Sequence, residues 1–121
     1  MAARIEGELA RALKVAGLPW RPRRGDECMD RLGIHWLVLT DGPNEEGAVQ
    51  VHDGRQIEWR HVLGLCWFPR TGDLVAELIR HEPVALSSGA GRWSCQVGDN
   101  ATAADTPVDA AGRPLLALLS A

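Results

Sequence analysis

From Ile34 onward the chain is cut into short apolar runs by turn signals, and that punctuation limits the fold more than any other feature. Asp41-Gly42-Pro43-Asn44, Asp53-Gly54 and Gly98-Asp99-Asn100 separate stretches of ordinary strand length. Residues 34–39, 48–52, 56–60, 62–68, 84–86, 93–97 and 101–104 read as strands. Helical spacing runs through 2–16, through Leu74, Val75, Leu78 and Ile79, and through the closing leucines. The order α-β-β-β-β-α-β-β-β-α, with mostly short turns, predicts an α+β fold, a mainly antiparallel sheet with three helices packed against it. No repeat or linker divides the chain, and 121 residues suit one domain, so 1–121 is expected to be a single α+β domain.

Local signals sharpen this outline. Ile5, Leu9, Leu13 and Ala16 mark the inner side of a helix over 2–16, with Arg4 and Glu8 as an i,i+4 pair on the wet side. Gly17 suits the left-handed position after the last turn, with Leu18 folding back on Leu13. Gly7 inside that helix costs about 1 kcal/mol relative to alanine. Thr71 is placed to cap the second helix, with Asp73 in its first turn, Arg80 and His81 in its last, and Pro83 as a stop. Thr106-Pro107 opens the third as N-cap and first residue, with Asp109 at the third position. Gly112 and Pro114 predict a kink, or a break into two pieces, near Arg113.

The stretch 19–33, with two prolines and a run of arginines, reads as a loop. It is long for a compact domain, which points to a functional or partner-contacting segment. The hairpin 48–60 raises a question of register. A two-residue Asp53-Gly54 turn would set Val51 opposite Gln56 and mix core with water. A three-residue turn, Asp53-Gly54-Arg55, sets Val51 opposite Ile57 and Val49 opposite Trp59, and that turn or a bulge is expected.

Charge and cysteine content narrow the function classes. The net charge of −3 gives no general pull toward nucleic acid or anionic membrane. Of the 13 basic residues only Lys14 is a lysine, a bias that reads as coding background rather than selection for arginine chemistry. Cys28, Cys66 and Cys95 are odd in number with no close pair, against a disulfide framework or a zinc site. No signal peptide and no membrane-spanning run is visible, so a cytoplasmic protein is expected.

Candidate chemistry is sparse. His52, Glu58 and His61 could bind a metal or move protons, the centre of a small hydrolase or transferase, but they also fit the wet side of a hairpin. Cys66 and Cys95 lie in apolar strands as inert thiols, while Cys28 in the arginine-rich loop is the one expected to be exposed and oxidisable. Trp20, Arg21, Arg23 and Arg24 interleave an aromatic with three cations, a pattern that suits a protein partner or a phosphate backbone. Asp26, Glu27 and Asp30 beside them oppose a nucleic-acid footprint, and the bland alternative is a solvated loop whose tryptophan tucks inward. Trp36, Trp59, Trp67 and Trp93 fall on apolar strand faces and are expected in the core. No phosphate-cradling loop, nucleophile elbow or paired-cysteine motif occurs, and Ser87-Ser88-Gly89-Ala90-Gly91 reads as a hairpin loop. No cofactor and no metal is expected.

Trp93-Ser94-Cys95-Gln96-Val97, then Ala103-Ala104-Asp105-Thr106-Pro107-Val108-Asp109-Ala110-Ala111 and the closing leucines resemble the tail of small phage-type proteins with an α/β/α sandwich. The resemblance covers roughly the last quarter. It implies the fold class and a mobile-element origin, and it carries no catalytic residues across. With these signals the sequence points to a non-enzymatic binding or accessory module that recognises another protein or associates with itself.

Overall fold

A computed structural model describes residues 4–121. Along the chain it forms α1 (Gly7–Val15), β1 (Glu27–Met29), β2 (His35–Val38), β3 (Ala48–His52), β4 (Ile57–His61), a 3-10 turn (Val62–Gly64) and β5 (Cys66–Phe68). There follow α2 (Thr71–Ile79), β6 (Val84–Gly89), β7 (Arg92–Val97), β8 (Asn100–Ala104) and α3 (Pro107–Leu119). The fold is α+β, and every strand pair is antiparallel. The strands make two sheets, one of five in the order β4-β3-β2-β1-β5 and one of three in the order β6-β7-β8. The chain divides into two compact units: Pro19–Phe68 holds the larger sheet, and the flanking segments, through Leu18 and from Pro69 to Ala121, hold the smaller sheet and the three helices.

In the flanking unit the local signals place most of the structure. Gly17 has φ +96° and Leu18 N donates to Leu13 O at 2.9 Å, while Gly17 N donates to Lys14 O at 3.1 Å, the ending foreseen for α1. The helix begins at Gly7, so Arg4 precedes it and the interior-glycine penalty does not arise; positions 2 and 3 of the expected span lie outside the described residues. Thr106 Oγ1 accepts from Asp109 N at 3.2 Å, and Pro107 follows it in the first turn. α3 runs unbroken through Pro114, contrary to the expected break, because the helix is packed against α1, α2, β7 and β8. Gly112 is the close point of that packing: a Cβ there would meet Leu9 Cδ2 at 2.9 Å and Ile5 Cδ1 at 3.3 Å. Thr71 is the first residue of α2 and not its cap; Asp73 Oδ2 accepts from the Arg70 amide at 2.9 Å. Ser87, Ser88 and Gly89 belong to β6, and the turn is the two residues Ala90 and Gly91, both with positive φ.

Pro19–Phe68 departs further from expectation. β1, inside the supposed loop, pairs Cys28 with Trp36 of β2 and with Trp67 of β5. Its core is Cys28, Trp36, Val38, Val49, Val51 and Leu65, with Trp20 and Val62 packed against it. Two carboxylates flank β1 and are buried, Asp26 and Asp30. Each accepts an indole N–H from six residues away: Trp20 Nε1 donates to Asp26 Oδ2 and Trp36 Nε1 to Asp30 Oδ2, both at 3.0 Å. The amides of Leu32 and Ile34 donate to Asp30 Oδ1 at 2.8 and 3.0 Å. Arg60 completes the cluster, its guanidinium 3.5 Å from Asp30 Oδ2 and 4.8 Å over the Trp36 ring.

Candidate functional site

The expected register of β3 and β4 is off by one residue. Val51 lies opposite Glu58 and Val49 opposite Arg60, while Gln50 faces Trp59 and His52 faces Ile57. The connection is therefore four residues, Asp53 to Gln56, held by Asp53 Oδ1 accepting the amides of Arg55 and Gln56 at 2.8 and 2.9 Å. Those two amides hold the Asp53 carboxyl below its usual range. Because side chains alternate along a strand, the slip moves Ile57 and Trp59 off the core face and puts Glu58 and Arg60 on it. Ile57 and Trp59 are each 56% exposed. Trp59 is thus a surface residue and not a core one.

The ladder also decides where the backbone of β4 points. Val62 N donates to Gly47 O at 2.9 Å and Asp53 N to Gln56 O at 3.3 Å. In an antiparallel pair such bonded positions alternate, so Glu58 and Arg60 spend their amides and carbonyls on β3. Those of Ile57, Trp59 and His61 face outward. β4 is paired on one side only, so the same three residues present both their side chains and their backbone groups at an open edge.

An open depression of about 350 Å³ follows this edge, lined by Glu58, Trp59, Arg60, His61 and Gly64. The adjoining sheet surface adds Leu37, 40% exposed, in one cross-strand row with His52 and Ile57. Three polar side chains that line the depression, Glu58, Arg60 and His61, have partners within the chain. Arg60 Nη2 sits 2.7 Å from Glu58 Oε1, and the Leu63 amide donates to His61 Nδ1 at 3.1 Å. The His61 ring lies against Gly47, where φ is +82° and a Cβ would come within 2.6 Å of Nε2.

Two of the sequence-derived sites look different in this light. His52, Glu58 and His61 do not converge: Glu58 lies on the opposite face from both histidines, which sit at opposite ends of β3–β4, roughly 13 Å apart by strand rise. Of the partner-binding set, Trp20 is stacked on Trp67 with centroids 6.1 Å apart and planes 9° apart, and its indole N–H is taken by Asp26. Arg24 is tied down by its amide to Asp41 Oδ1 at 2.9 Å and by Nε to Leu39 O at 3.2 Å. Arg21 and Arg23 are exposed, and Arg23 N donates to Asp26 Oδ2 at 3.0 Å.

All three thiols are buried, Cys28 included, which removes it as an exposed oxidation site. Burial, with Asp26, Cys66 and Asp30 adding to it, pushes the Cys28 thiol up to about 12, and burial also raises Cys95. No group of three or more His, Cys, Asp or Glu among the described residues is placed to hold a metal ion. No helix among them is long and apolar enough to cross a membrane.

Comparison with protein-family models, with curated proteins and with solved structures finds no match. What the sequence reading missed is the β4 edge. Its signal was there in Glu58 and Arg60, two charges interleaved with Ile57 and Trp59 on a strand whose apolar side was expected to face the core with Val49 and Val51.

Proposed function

We propose that this chain is a protein-binding module whose docking site is the open edge and adjoining face of β4, taking up an extended segment of a partner chain. The observation that carries this reading is the pair Ile57 and Trp59, more than half exposed on a strand with one unpaired side. Exposed edge strands are ordinarily blunted by lysine, proline, inward-pointing charges or a covering element, and the two inward charges of β4, Glu58 and Arg60, are paired with each other. Here the edge offers outward amides and carbonyls beside a tryptophan, the combination that strand addition uses: main-chain bonds for affinity and side chains for specificity. The Trp20–Arg24 segment supports the reading less well, since Trp20 is occupied in its own unit.

Selection of a displayed random-peptide library against the full chain tests the proposal. Binders are expected whose capture is lost in Trp59→Pro, which removes an outward donor that the fold does not use, and kept in Arg21→Ala. A selection that returns no binder, or only binders indifferent to Trp59→Pro and lost in Arg21→Ala, overturns it.

A further inference from the structure

We infer that the occupant of this edge is a second copy of the chain, its β4 running antiparallel to the first and centred on Trp59. The inference rests on the docking reading above and deepens it by naming the partner. It comes from the charge order of the strand itself. Outward backbone groups at Ile57, Trp59 and His61 allow three symmetric registers within β4, centred on Glu58, Trp59 or Arg60. Centring on Glu58 sets glutamate against glutamate, and centring on Arg60 sets arginine against arginine. Like charges directly opposite one another disfavour both.

Centring on Trp59 reverses the sign. Glu58 then lies opposite the second copy's Arg60, and Arg60 opposite its Glu58, in positions where facing side chains come closest. Both side chains are partly open to receive a partner, at 37% and 36% exposure. On the other face Trp59 meets its own counterpart and Ile57 meets His61. The pairs Trp59–Trp59 and Ile57–His61 fall at the outward-pointing positions, so each exchanges two backbone hydrogen bonds. Such a contact is isologous and closes on itself, which ends the edge instead of propagating a fibre. A strand of five residues is a small interface by the standard of about 1,600 Å², so the dimer is concentration-dependent.

Sedimentation equilibrium of the full chain from micromolar to millimolar concentration, with oxidative cross-linking of cysteine variants, tests this. The wild type is expected to move from one chain mass toward two. Glu58→Arg, which opposes arginine to arginine twice, raises the dissociation constant about tenfold or more. Trp59→Cys forms a covalent dimer on oxidation because its Cα meets its own counterpart within disulfide reach, and Ile57→Cys does not, since its counterpart is displaced along the strand. The native thiols are buried and leave that readout clean. A dimer unaffected by Glu58→Arg, or equal cross-linking at both positions, overturns the inference. A strict monomer at millimolar concentration overturns it too. If Trp59-dependent peptides still bind such a monomer, the docking reading stands without the second copy; if they do not, both fall.

Discussion

In Pro19–Phe68 the buried set includes two carboxylates, and each holds a tryptophan by its indole N–H. In the flanking unit the buried side chains are apolar ones, among them Leu9, Leu13, Leu74, Leu78, Val108 and Leu115, and no charged group among the described residues joins them. The difference lies in what fixes the interior. Apolar contact is non-directional and gains with depth, which α3 supplies by packing on β7 and β8 with α1 and α2 against it. The central unit has one sheet and no α-helix of its own, and it fixes Trp20 and Trp36 by directional bonds to Asp26 and Asp30. A unit anchored in that way holds its sheet while the outer side of β4 stays open.

The strongest way to break this contrast is Asp30→Ala. It leaves the Trp36 indole N–H, the amides of Leu32 and Ile34 and the Arg60 guanidinium without their shared acceptor, and is expected to cost about 3–5 kcal/mol in a denaturant titration. Leu78→Ala in the flanking unit, at a fully buried site, is expected to cost about 2–5 kcal/mol by transfer and cavity terms. That loss should be the same at pH 7 and pH 4, since no ionisable group is involved.

Acid sharpens the comparison. Burial alone would raise the Asp30 carboxyl, but hydrogen bonds from Trp36, Ile34 and Leu32, with Arg60 nearby, bring it below its usual value of 3.8. A depressed carboxyl contributes stability that is complete above the unfolded value and is lost as pH falls through the folded one. Below about pH 4, the protection of the Leu32 and Ile34 amides relative to their intrinsic exchange rates should therefore fall before that of amides in α3 does. Simultaneous loss in both would deny that Asp30 anchors its own unit. The smallest effect is Thr106→Ala, which removes the α3 cap bond to Asp109 N and is expected to lower stability by about 1 kcal/mol, measured by thermal unfolding, with no change at the Asp30 cluster.

Legibility follows the same division. Gly17, Leu18, Thr106, Pro107 and Asp109 announce their structures because each acts on a backbone group within a few residues, a range that sequence displays directly. Asp30 does not, since its burial depends on side chains six and thirty residues away, the Trp36 indole and the Arg60 guanidinium, as well as on the nearby amides of Leu32 and Ile34. β1 stayed hidden because three residues, one of them Glu27, carry too little periodicity to outweigh the arginines before them. The β3–β4 register failed for an instructive reason. Matching Val49 and Val51 with Ile57 and Trp59 assumes that apolar residues share the core face. The assumption breaks where the opposite face is itself apolar, and that is where the candidate site lies.

The most direct measurement is residue-resolved amide exchange along β4 by NMR, at micromolar and then at millimolar concentration. The placement of β4 requires alternation in the dilute sample: Glu58 and Arg60 protected by β3, with Ile57, Trp59 and His61 exchanging freely, and the latter three gaining protection as concentration rises. Protection of Trp59 at the lowest concentration, or free exchange at Glu58 and Arg60, would contradict the register, and with it the open edge on which docking depends.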